Sequence, residues 1–258
     1  MPRNARRQRQ SRRRKVEIIR TISDAFAVMK AKPVVLVPPL LVFALSITSS
    51  AVTVLNNAFT IAAVMILVML VQVFLTVFGV KVAYAATKGK ADLERPAREA
   101  WHLIPRTMGY IALLFAIFTG VGAADVAIAL VVGYAARSQA AFVATAIAAM
   151  AVSLVYLEIR LSFTLYGIAI DNKKVVDSFR ASWKTTKGMF VNLLMLQIAL
   201  GAVSLLAYAP VYLFDAIIAM GGGSAFVLLS LFASLLAIIL IVPLNMLVMI
   251  IAYQKLKR

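Results

Sequence analysis

The chain has 258 residues, of which 63% are apolar and 14% charged, at a mean hydropathy of +0.94; a soluble domain runs nearer roughly 45–50% apolar and 25% charged. Such proportions exclude a soluble globule and, away from the ends, intrinsic disorder. The absence of cysteine excludes disulfides, thiolate metal sites and cysteine nucleophiles, and a single histidine, His102, excludes a paired-histidine metal site. The net charge of +17 has to be placed against a bilayer before it can speak for nucleic acid.

Residues 1–15 are expected to form a disordered, basic cytoplasmic tail, with cations running from Arg3 to Lys15 before the first acidic residue, Glu17. Clustered cations can hold nucleic-acid phosphates. Here no aromatic residue is interleaved to stack on bases and no nucleic-acid-binding module follows, which argues against a nucleic-acid partner. Attraction to anionic lipid, at about 1 kcal/mol per basic residue near the surface, suits the block better. The apolar run that follows is preceded by an amphipathic segment and succeeded by five more, so it reads as a retained anchor and not as a cleaved signal peptide.

Residues 16–258 are expected to form one transmembrane domain. A helix needs about 20 apolar residues to cross a hydrocarbon layer of about 30 Å, and six stretches qualify: Pro33–Leu55, Ala58–Ala85, Met108–Tyr134, Ala140–Ile170, Met189–Met220 and Ser224–Tyr253. Continuous apolarity, without alternation, points to helices and against a β-barrel. Of the 27 Lys and Arg residues, all but Arg137 and Arg160 fall at or before Lys32, from Lys81 to Arg106, from Lys173 to Lys187, or after Tyr253. The positive-inside rule then puts both termini and both long connections in the cytoplasm.

A short stripe precedes every second span. Ile19, Ile22, Phe26 and Met29 recur at helical spacing, as do Leu93, Ala97, Trp101 and Ile104, and then Val176, Phe179 and Trp183. Lys32-Pro33, Ile104-Pro105 and Lys187-Gly188 close these stripes, and Asp92 and Asp171 are expected to cap the second and third helices. The predicted architecture is therefore an all-α, polytopic membrane bundle of six spans in three repeats, each an interfacial amphipathic helix followed by two spans. Phe26, Trp101, Phe179, Trp183 and Lys187 are the expected interfacial anchors, since amphipathic rings and nearby cations favour the headgroup zone. Pro210 and Pro243 are expected to kink the fifth and sixth spans, and Pro38-Pro39 to disturb the first.

Ionisable groups inside a span are costly and so mark candidate sites. Asp125, Glu158 and Arg160 form the candidate intramembrane polar set. Glu158 and Arg160 lie about 200° apart around a helix, so each needs a partner other than its neighbour. No GxxxxGK[ST] loop, HExxH or GxSxG motif occurs. No catalytic, cofactor-binding or metal-ligating residue is therefore assigned, and the expectation is a protein that is not an enzyme.

The segments Glu158–Phe163 and Val175–Gly188 resemble the six-span proteins related to the glycerophosphoryl diester phosphodiesterase membrane domain. In that group an Arg-containing helix leads to an A-x-x-x-S-x-x-x-x-K/R-G segment; the matching positions are Phe179, Trp183, Lys187 and Gly188, with Ser182 near the usual serine. The opening region from Phe26 to Pro39 is similar as well. The resemblance implies a six-helix architecture in a prokaryotic cell membrane and carries over no catalytic residue, because the phosphodiesterase of such proteins is a separate soluble barrel. The leading expectation is a non-enzymatic integral membrane protein that organises anionic lipid, or a protein partner, through its cytoplasmic interfacial helices. A transporter or permease subunit with a polar pathway, or a lipid-modifying intramembrane enzyme, are the alternatives.

Overall fold

The computed structural model describes residues 17–51, 58–90 and 92–257. The basic block up to Lys15 and the outer link at Asn56-Asn57 lie outside the described residues. All regular structure among the described residues is helical. In chain order it runs α1 (Ile18–Ala31), a 3-10 turn (Pro33–Leu36), α2 (Val37–Ala51), α3 (Ala58–Thr87), α4 (Glu94–Ala136), α5 (Gln139–Leu161), α6 (Thr164–Ala169), α7 (Val175–Thr186), α8 (Phe190–Ala219) and α9 (Ser224–Lys257). Five helices are long and apolar enough to cross a membrane, or six if the bent pair Ile18–Ala31 and Pro33–Ile47 counts as one span.

Pro105 acts differently from expectation. It does not separate a short helix from a span: α4 runs through it for 43 residues. Pro210 and Pro243 are likewise carried inside continuous helices. The sharp break falls at Lys32-Pro33, where the chain turns by 99°. Pro33 opens the 3-10 turn there, a place where its missing N–H costs nothing.

The chain divides into two compact units. The first holds Met1–Ile104 and Val191–Arg258. In it α1 packs on α9, and α2 and α3 pack on each other and on α9. Its core is Val77, Val80, Val82 and Ala83 of α3 with Leu244, Leu247, Val248 and Ile250 of α9. At Gly79 the helices approach so closely that an added Cβ would lie 3.0 Å from the Met246 sulfur. Lys255 Nζ, near the end of α9, donates to Thr21 Oγ1 at 3.1 Å and lies 3.4 Å from Asp24 Oδ2 on α1.

The second unit is Pro105–Phe190. α6 and α5 both pack on α7 around Leu157, Ile159, Phe163 and Ile168. Ser138 starts α5, its hydroxyl accepting from Ala141 N at 3.3 Å. Long stretches of the spans stay apolar yet exposed, Phe115, Ile147, Leu206 and Leu228 among them. In lipid such residues need no protein cover, because the surroundings are as apolar as they are.

Candidate functional site

In each short helix the packed face is small, and it is displaced from the expected apolar stripe. α1 buries Thr21 and Ala25, the opening of α4 buries Pro96 and Ala100, and α7 buries Ser178 and Ser182. The residue after the second small one is an aromatic turned outward: Phe26 at 36% exposure, Trp101 at 66% and Trp183 at 41%. The same step, two small residues one turn apart and then an exposed ring, thus recurs three times in register. Small side chains let a helix approach its neighbour closely, and one position of rotation swings the large ring away from that contact. Ile19 and Val176 are also exposed. Phe179, expected as an interfacial anchor, is instead buried and lies against Tyr110, ring centroids 5.6 Å apart. Lys187 is exposed and ends α7, and Gly188 follows at φ +86°, a conformation that favours glycine.

The caps divide. Asp92 Oδ1 accepts from Glu94 N at 2.9 Å, closing the start of α4 as expected. Asp171 does not cap α7: Lys174 holds that place, and Asp171 instead pairs with Lys173 at 3.6 Å.

Below Trp183 the chain builds a cage. α5 stops at Leu161, and a turn at Ser162-Phe163 precedes α6. The break strands backbone groups, and two buried serines of α7 take them up. Ser182 Oγ donates to Arg160 O at 2.8 Å and accepts from Phe163 N at 3.2 Å; Ser178 Oγ donates to Thr164 O at 2.6 Å. Gly167 makes room, since an added Cβ would lie 2.2 Å from Ser178 Oγ. This stapling holds Arg160 beneath α7. Its guanidinium carbon sits 5.1 Å from the Tyr156 ring centroid, 5.2 Å from that of Trp183 and 5.9 Å from that of Phe190. Nε and Nη1 are buried and have no hydrogen-bond partner.

A matching arrangement exists in the first unit. Trp101 meets Phe74 edge-on at 5.9 Å, as Trp183 meets Tyr156 at 5.8 Å, and both pairs span the same interval of sequence. Under that constant offset the buried Leu75 and Val77 fall on the buried Leu157 and Ile159. Arg160 falls on Phe78, which stacks on Phe74 at 5.7 Å. Phe74, Phe78 and Tyr156 went unnoticed in the sequence, although counting back from the two tryptophans would have found them.

The other polar candidates are not brought together. Asp125 is buried and accepts from Ser153 Oγ at 3.1 Å. Glu158 is exposed, on a face away from Arg160. Among the described residues no ion pair joins Asp125, Glu158 and Arg160. Asp215, near the turn at Gly221-Gly222-Gly223, accepts from Ser230 Oγ at 2.6 Å. In the first unit Glu99 gathers cations from two helices: Lys81 Nζ lies 2.6 Å away and Arg95 Nε 2.8 Å away. Hydrogen bonds from Lys81 first, then from Arg95, hold its carboxyl below the usual carboxylate range.

These helices and exposed rings define a class: an all-α membrane protein with five helices, or six with the bent pair, of spanning length. Within that class the chain belongs to a family described as a domain of unknown function, DUF7847, which matches residues 16–256. No curated protein and no solved structure matches it.

Proposed function

We propose that the protein is a non-enzymatic membrane component that organises anionic lipid through α1, the opening of α4 and α7. They would lie at the cytoplasmic face of a prokaryotic cell membrane, with both chain termini on that side. The observation that carries the reading is the threefold step of buried small residues and an outward ring at Phe26, Trp101 and Trp183. Each ring stands near cations, such as Lys30, Arg98 and Lys184, a pairing suited to headgroup phosphates. The likeness to the six-span membrane part of glycerophosphoryl diester phosphodiesterase proteins is proposed too, and it rests on residues 158–163 and 175–188.

Replacing Phe26, Trp101 and Trp183 together by Asp tests the reading. The full chain, in bilayer discs of mixed phosphatidylglycerol and phosphatidylcholine, should enrich the anionic lipid around itself. The triple variant should lose most of that enrichment while its helical circular dichroism persists. Equal enrichment by both chains would overturn the proposal.

A further inference from the structure

We propose that Arg160 and its surrounding rings bind the phosphodiester of an anionic phospholipid, a site that rests on the lipid-organising reading above and sharpens it. The guanidinium lies over the Tyr156, Trp183 and Phe190 rings, an arrangement that suits a weakly hydrated cation. Nε and Nη1 are enclosed without a hydrogen-bond partner. Nη2 is the guanidinium nitrogen that is not enclosed, so the cage offers one edge of the cation to an oxygen acceptor.

Packing does not require a cation here. Phe78 occupies the equivalent position in the first unit, where it stacks on Phe74, the ring that meets Trp101 edge-on. Among the described residues no ion pair neutralises Arg160 either. Glu158 is on another face, and Asp177 is in the first turn of α7, at the far end from Trp183. The exposed charges closer to Trp183 on that helix are Arg180, Lys184 and Lys187, all positive, so the ligand is an anion. Along α5, on the N-terminal side of Arg160, Tyr156 and Val152 present exposed apolar surface. A ligand that meets both needs an anionic head and a hydrocarbon tail, which describes a phospholipid and not free phosphate.

Trp183 can report on its own site, because Trp101 is the only other tryptophan. The full chain carrying Trp101→Phe, reconstituted in phosphatidylcholine, is titrated with phosphatidylglycerol brominated on its acyl chains. Trp183 fluorescence should be quenched at low mole fraction, and Arg160→Phe should weaken that response about tenfold, the equivalent of one charge-assisted hydrogen bond. Arg160→Met is the second variant, and inorganic phosphate should fail to displace the lipid. Quenching unchanged in a folded Arg160 variant, or full displacement by inorganic phosphate, overturns the site. Native mass spectrometry of the unaltered chain gives a reading free of any folding defect: one retained phosphatidylglycerol supports the site and none overturns it. If anionic lipid stays enriched around the chain while Arg160→Phe changes nothing, this inference alone fails. If the unaltered chain shows no enrichment, the broader reading fails with it.

Discussion

Ser182 satisfies two stranded backbone groups with one hydroxyl, the carbonyl of Arg160 and the N–H of Phe163. Removing it takes that hydroxyl away from both groups, at a cost of about 1–3 kcal/mol. Ser182→Ala should therefore lower the denaturant midpoint by that amount and loosen Arg160 in its cage; an unchanged midpoint would show that other groups take over. The serine was visible in the sequence as part of a short motif, but its task was not. The task exists because α5 breaks at Ser162, and nothing in the run Glu158–Ile170 announces a break: it holds no proline, and its lone glycine, Gly167, lies beyond it. Arg160 was legible as an anomalous charge with Tyr156 one turn before it on α5, whereas Trp183 and Phe190 reach it from two other helices and left no local signal of that meeting.

Among the elements, the three short helices and their spacing could be read from hydropathy, but their rotation could not. Periodicity placed Ile19 and Trp101 each on the apolar stripe of its own helix, and in water such a stripe would face the protein core. In a bilayer the core has no special claim on large apolar side chains, and close approach favours small ones. The packed faces accordingly lie at Thr21-Ala25, Pro96-Ala100 and Ser178-Ser182. The tie between α3 and the opening of α4 makes a pH-dependent prediction. The Glu99 carboxyl is depressed by Lys81 and Arg95, so its contribution is fully present above the unfolded value of about 4.3. It is lost as pH falls through the lower folded value. Protection of α4 amides in hydrogen exchange should weaken below about pH 4 in the native chain. Glu99→Gln should be weaker at neutral pH, by about 1 kcal/mol or less because the pair is part-exposed, and flat through the acid range. A variant as acid-sensitive as the native chain would contradict this account.

Across the whole molecule, helical class and spanning elements were plain from apolar run length, because a bilayer sets a minimum length that sequence records directly. The merging of a short helix and a span into the single 43-residue α4 was not, since Pro105 suggested a stop. Orientation makes the clearest prediction at this scale. The chain has no native cysteine, so single cysteines can be introduced cleanly. A membrane-impermeant maleimide should reach Lys184→Cys and Lys257→Cys from one side and Gln139→Cys from the other. Labelling of all three from the same side would refute the proposed topology.

The link from Lys255 to Thr21 and Asp24 joins the last described helix to the first. A ribosome delivers α1 well before α9. Until α9 emerges, Thr21 and Asp24 wait without their Lys255 partner. A chain stalled before α9 would leave that surface of α1 open, a signal that quality control can read.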